Sequence, residues 1–328
     1  MPAMGAVDSA HPYRGGLKKG FGDMPLVERV EYKGWQNCYR ISNDSVELLV
    51  TGDVGPRILR YGFINGKNLF KEFQDQLGKS GEAAFKIRGG HRLWRSPEDL
   101  AATWVPDNAR VEISFRPSGV AALAPVEETT GLLKEIEVKL AVSGSEVEVI
   151  HKITNLSRLP MTFAPWALTV MAAGGVGITG FPPRAGYQGN LEPTNPLVMW
   201  AYTDLSDDRL NITRKYMALR QDASNSVPLK FGLFNAHTWG CYLLNGDLFV
   251  KRMDASIAAT YPDFGCSFEM FTNNEFLELE TLGPLRDVLP GEQIEHVERW
   301  SLHAKVSLTE FSDEAIDRAL LHLIEEKR

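Results

Sequence analysis

The chain is predicted to be all-β: a large antiparallel sandwich with one short C-terminal helix. Three observations predict it. From about Trp35 onward the sequence breaks into short runs in which apolar and polar residues alternate. Gly, Pro, Asn and Asp punctuate those runs, and no helical periodicity separates them until the C-terminus, as parallel α/β units would require. A composition shift that would mark a second domain is missing, so residues 26–308 read as a single sandwich domain.

The expected strands are Val46–Val50, Arg57–Phe63, Val111–Phe115, Ile136–Val142, Val147–Ile153, Trp239–Leu244, Leu248–Met253, Phe268–Phe271 and Phe276–Leu282. In Lys134–Val142, Ile136, Val138, Leu140 and Val142 alternate with Glu135, Glu137 and Lys139, so one face is buried and the other meets water. Ser143-Gly144-Ser145 is the natural turn into the next strand, because Gly permits positive φ. The helix spans 309–328. Ser312 is its N-cap, Asp313 and Glu314 suit its positive end, and Ile316, Ala319, Leu320 and Ile324 form one stripe, the mark of a lid packed on a sheet edge.

The 328 residues carry 35 Lys+Arg against 42 Asp+Glu, a net charge of -7 that argues against a nucleic-acid surface. Cys38, Cys241 and Cys266 are odd in number and widely spaced, which argues against a disulfide framework or a zinc site and for a reducing compartment. Residues 1–25 read as a flexible tail without the apolar core of a signal peptide. No run approaches the roughly 20 apolar residues of a membrane span. The expectation is a cytoplasmic protein without a membrane partner, its oligomeric state left open.

Gly175-Val176-Gly177-Ile178-Thr179-Gly180 matches GxGxxG, but Phe181-Pro182-Pro183 follows where a dinucleotide site needs a helix N-terminus. A glycine-rich loop is the better account. Gly89 to Asp99 gathers His91, Arg92, Trp94 and Glu98 in one loop rich in turn formers. Indole faces suit the C–H faces of sugar rings, and His, Arg and Glu suit hydroxyls; a structural loop with an ion pair and a buried Trp fits equally well.

In Glu275–Leu282, Leu277 and Leu279 point one way, so Glu278 and Glu280 share the other face with Cα atoms about 6.5–7 Å apart. Such a pair raises at least one carboxyl pKa and poises a base, and Glu269 adds a third acid on a neighbouring strand. His151 alternates with Val147, Val149 and Ile153 and reads as a core histidine. His237 and His296 each sit alone, so neither a catalytic metal nor any other cofactor is expected.

Three stretches resemble the galactose mutarotase-like superfamily, the aldose 1-epimerases and their relatives. They are Asp53–Leu59 with Asn68-Leu69, then Gly89-Gly90-His91, then Phe276–Pro284 leading into Leu289-Pro290-Gly291-Glu292. Tyr261–Ser267 is similar to a segment found in a bacterial branch of that group. The resemblance spans most of residues 35–305 and implies a β-supersandwich with a sugar on a concave sheet face. It implies mutarotation, in which a Glu takes the anomeric proton while an acid protonates the ring oxygen. Carried over, Glu280 is the base, and Arg57 and His91 contact hydroxyls. Trp166 stands where that family places its acidic His, and an indole does not deliver that proton. Either His91 serves as the acid or the sugar is bound without turnover.

The expected site is therefore Arg57, His91, Arg92, Trp94, Glu98, Trp166, Glu269, Glu278 and Glu280, for a small-molecule or oligosaccharide sugar. A mutarotase, a non-catalytic sugar sensor and a glycoside hydrolase or lyase all remain open. The arginines raise the further expectation of an anionic sugar such as a uronate.

Overall fold

The computed structural model describes residues 24–325. The expected tail, 1–25, falls almost wholly outside them, as do the last three residues of the expected helix. Two large antiparallel sheets face one another. The first, here the site sheet, runs in the order Leu26–Tyr32, Trp35–Ser42, Val46–Thr51, Arg57–Phe63, Gly90–Ser96, Met161–Met171, Leu277–Leu282, Phe268–Thr272, Leu229–Leu233 and Leu197–Met199, with Arg286–Val288 alongside Met161–Met171. The second, the back sheet, runs Leu210–Ile212, Tyr216–Arg220, Val176–Gly180, His237–Leu244, Asp247–Asp254, Gln293–His303, Val147–Asn155, Leu132–Leu140, Gly119–Leu123 and Glu112–Arg116.

Alternation decides which residues meet between the sheets. Leu277 and Leu279, Phe268 and Met270, and Leu229, Phe231 and Leu233 point inward from the site sheet. Val147, Val149 and Ile153, Phe249, and Trp300 and Leu302 answer them from the back sheet. A core of this extent is the main stabilising term of such a fold, since each fully buried side chain of this kind contributes about 1.5–3 kcal/mol.

Most strands lie where the alternation places them. The strand expected to end at Val142 ends at Leu140, because Ala141 N–H bonds Glu146 C=O and closes a wider turn; Gly144 stands there at φ +75° and Val142 is exposed. Ser312 caps the C-terminal helix by accepting from Ala315 N–H at 3.2 Å, and Ile316, Leu320 and Ile324 are buried. They pack with Ile178, Cys241 and Val250, on the outer face of the back sheet and not on a sheet edge as expected. The alternation explains this: Leu248 and Val250 are apolar on the face turned away from the core, and that face needs a cover.

The GxGxxG run forms the strand Val176–Gly180, and no helix follows it. Its glycines serve packing. A Cβ at Gly177 would lie 2.6 Å from Met270 Sδ, and one at Gly180 2.7 Å from the Trp239 ring.

Candidate functional site

On the outer face of the site sheet, strand register lines up one row across neighbouring strands: Arg57, Arg92, Leu168, Glu280, Glu269, Gly232 and Val198. The next row on one side pairs Trp94 with Trp166 and Trp166 with Leu282. The row on the other side carries Glu278, Phe271 and Lys230. Period two along each strand thus brings three carboxylates, three cations and two indoles to one face.

Lys230 Nζ is the hub. It lies 2.9 Å from Glu280 Oε2 and 2.7 Å from Glu269 Oε2, and it sits 4.8 Å from the ring centre of Trp166 and 4.7 Å from that of Trp200. Trp166 Nε1 donates to Glu280 Oε2 at 2.9 Å. Both of these bonds therefore converge on one oxygen of Glu280, and Oε1 holds neither. Glu269 Oε1 is buried and has no hydrogen-bond donor among the described residues. Arg92 donates to Glu278 Oε1 at 2.8 Å and stacks 4.4 Å from the centre of the Trp94 ring.

Aromatic side chains from loops surround these charges. Phe85 lies 5.1 Å and Trp104 5.1 Å, centre to centre, from Trp94, which meets Trp166 edge-on at 5.5 Å. Glu98 is exposed on its turn and accepts from Trp104 Nε1 at 3.0 Å. The Tyr202 hydroxyl is raised to about 12, first by burial, and it feels the charges of Lys230, Glu280, Glu98 and Glu269. Burial pushes the Glu269 carboxyl well up, and Lys230 opposes the shift. Burial also raises Glu278, against the pull of Arg92. Burial alone would lower Lys230, but Glu269 and Glu280 outweigh it and hold the ammonium above its ordinary range.

One expected site residue lies elsewhere, and a second is engaged by the chain around it. His91 points into the sandwich interior, because it alternates with Arg92 and Trp94 and so takes the opposite face of their strand. Arg57 does share the outer face, but its buried guanidinium donates to the carbonyls of Ile87 at 2.8 Å and Gly89 at 2.7 Å and pairs with Asp107. It pins the chain around Gly89 and is fully buried.

His296, expected to sit alone, joins His91 in a buried polar cluster behind the site. His151 Nδ1 lies 2.9 Å from the carbonyl of His296, a pure acceptor, so Nδ1 carries the proton and Nε2 of the neutral ring accepts. His91 Nε2 at 2.6 Å is then the donor, and His91 Nδ1 accepts from Thr169 Oγ1 at 2.8 Å. Thr169 Oγ1 accepts in turn from Lys251 Nζ at 3.1 Å. Thr281 Oγ1 donates to Glu298 Oε1 and accepts from His296 Nε2 at 2.7 Å. One set of neutral tautomers satisfies the whole chain.

The charges agree. Burial lowers all three histidines, His296 to about 3, while Lys251, 2.7 Å away, holds Glu298 below the usual carboxylate range despite its burial. His91, His151 and Glu298 place one ligand atom each within 4.8 Å of one another, a set able in principle to hold a metal ion. Here the Lys251 ammonium already occupies the cation position beside Glu298, and Trp300 Nε1 takes its other oxygen at 2.7 Å. The donor set does not fit a metal.

Sequence reading missed Lys230, Trp104, Trp200 and Tyr202. Lys230 did leave a signal: it is the lone charge in Leu229–Leu233, on the face opposite three apolar residues. The tryptophans and Tyr202 arrive from loops, whose path no periodicity reveals.

No protein-family model and no curated protein matches the chain. Solved structures do. A candidate aldose 1-epimerase from Klebsiella pneumoniae subsp. pneumoniae MGH 78578 superposes over 91% of this chain and 87% of its own, with a TM-score of 0.57 at 10% identity. The chain has the galactose mutarotase-like fold. The Slr1438 protein of Synechocystis sp. PCC 6803 matches with a TM-score of 0.54 at 10% identity, over 84% of this chain and 99% of that one. A galactose mutarotase-like protein from Lactobacillus casei ATCC 334 matches at 0.51 and 12% identity, over 81% and 100%. Among the described residues no helix is long and apolar enough to cross a membrane.

Proposed function

We propose that this protein binds a neutral carbohydrate on the outer face of the site sheet, over Glu280. The observation that carries this reading is the anchoring of Glu280. Lys230 and Trp166 fix the carboxylate through Oε2, leaving Oε1 to accept from a hydroxyl, with indoles beside it to cover the apolar face of a ring. The fold shared with mutarotase-like proteins agrees with this site. An anionic sugar is disfavoured: Arg57 and Arg92 are committed to Asp107 and Glu278, and a uronate carboxylate would enter beside Glu269, Glu278 and Glu280.

Mutarotation is the second reading, and Glu280 favours it as a base. The reaction also needs a donor for the ring oxygen as the C1–O5 bond breaks. His91, His151 and His296 lie behind the sheet, Lys230 is held above its ordinary range, which makes it a weak acid, and Glu269, though raised by burial, is fully buried and tied to Lys230. Binding without rapid turnover is the better-supported outcome.

Titration calorimetry on neutral and acidic aldopyranoses tests the reading. Neutral sugars should bind and uronates should not, and Glu280→Gln, which keeps the size of the side chain but loses its charge, should weaken binding about tenfold or more, the scale of one charge-assisted hydrogen bond. Equal affinity for uronates, or undiminished binding by Glu280→Gln, contradicts it.

A further inference from the structure

We propose that Trp200 is a gate: its indole closes the space over Lys230 and Glu269, and a sugar binds only when the turn that carries it swings aside. The proposal rests on the carbohydrate reading for its ligand, but the gate itself is testable without one.

The floor of the site is shut. Relative exposure is 1% for Glu280, 0% for Glu269, 5% for Lys230 and 3% for Trp166, so no ring can reach them in this conformation. Trp200 is one of the covers. Its ring centre lies 4.7 Å from Lys230 Nζ, and its Cη2 would lie 3.3 Å from a Cβ placed on Gly232, with Cys266 Sγ at 2.5 Å and Glu269 Cγ at 3.2 Å from the same point. Trp200, Cys266 and Glu269 therefore crowd one spot, and Gly232 leaves room for them.

The cover is held lightly. Trp200 follows Leu197–Met199, a three-residue strand at the sheet edge that pairs, among the described residues, only with Leu229–Leu233. Leu197 and Met199 are exposed, and Val198 alone of the three is buried. The turn beyond is closed by one residue. Thr203 Oγ1 accepts from Trp200 N–H at 2.8 Å and donates to the Lys230 carbonyl, and Thr203 N–H bonds the Trp200 carbonyl at 2.9 Å. Beneath the cover, Glu269 Oε1 lacks a donor in a fully buried place. An unmet buried carboxyl oxygen is costly to leave so, and a sugar hydroxyl arriving as Trp200 departs supplies the missing partner.

Cys266 reports the opening. Cys38, Cys241 and Cys266 are all buried, so a maleimide modifies each only as its surroundings open, and peptide mass spectrometry separates them. Trp200→Ala should label at Cys266 about tenfold faster than the parent, the size of one desolvated cation–π contact, with Cys38 and Cys241 unchanged. Thr203→Val, which keeps the indole and removes the hydroxyl that closes the turn, should act in the same direction. An unchanged Cys266 rate in both variants overturns the gate, as does equal acceleration at all three cysteines, which reports general loosening. In a glucose and galactose titration, Trp200→Ala should bind more tightly, because closure no longer competes with the ligand. Weaker binding makes Trp200 a stacking platform and also overturns the gate. If neither sugar binds either protein, the carbohydrate reading fails while the labelling rates still decide the gate.

Discussion

The histidine cluster behind the site yields a stability prediction whose sign and size are both fixed. Burial holds His296 at about 3 in the folded protein, against about 6.5 for an unfolded chain. As pH falls below about 6.5 the unfolded state takes up a proton at this residue and the folded state does not. Stability is therefore lost on acidification, over the window from about 6.5 down to about 3. One pKa unit corresponds to about 1.36 kcal/mol, so from pH 7 to pH 5 this residue alone removes about 2 kcal/mol. Replacing it isolates that loss. In His296→Gln the amide N–H still reaches Thr281 Oγ1 but nothing titrates at this position. Burial also lowers His91 and His151, while it raises Glu269 and Glu278, whose titration acts in the opposite sense. Both proteins keep those groups, so they cancel in the comparison. Urea unfolding at pH 7, 6 and 5 should show the gap between parent and variant narrowing by about 2 kcal/mol. A gap that stays constant with pH refutes the assignment of His296 as a buried neutral donor.

Three further predictions follow from the same contacts. Lys251→Met strands the buried Glu298 carboxylate and should cost about 3–5 kcal/mol in denaturant unfolding, much of it restored by adding Glu298→Gln. Gly177→Ala pushes a methyl to within 2.6 Å of Met270 Sδ and should cost about 1–3 kcal/mol by overpacking, with an unchanged thermal shift in the presence of dinucleotides. Ser312→Ala removes the cap of the C-terminal helix and should lower stability by about 1 kcal/mol, read as a small fall in melting temperature.

Period-two alternation makes much of this legible in the sequence. It placed Glu278 and Glu280 on one face, and antiparallel pairing then set Glu269 directly opposite Glu280. The same rule, applied to Gly90–Ser96, separates His91 from Arg92 and Trp94; treating that stretch as a loop hid the separation. Arg57 shows a different limit. Its face was correct, but which groups claim a guanidinium depends on Ile87, Gly89 and Asp107, brought to it by a loop whose course no local pattern encodes. The interior cluster was invisible for a related reason. His91, His151, Lys251, His296 and Glu298 come from four strands, and they look like scattered polar residues on apolar faces until the two sheets are stacked. Lys230 and Lys251 share one lesson: a lone lysine in a β-run marks a buried carboxylate partner elsewhere in the chain.

The central claim is that Glu280 and its aromatic surround hold a neutral sugar. Saturation-transfer NMR on a mixture of neutral aldopyranoses, recorded together with anomeric-exchange spectra, tests it most directly. The account predicts saturation of the ring protons by the parent protein, a much weaker effect with Glu280→Gln, and anomeric exchange no faster than in buffer. Saturation of no aldose would contradict the binding claim, and fast exchange abolished by Glu280→Gln would contradict the conclusion that the protein binds without turnover.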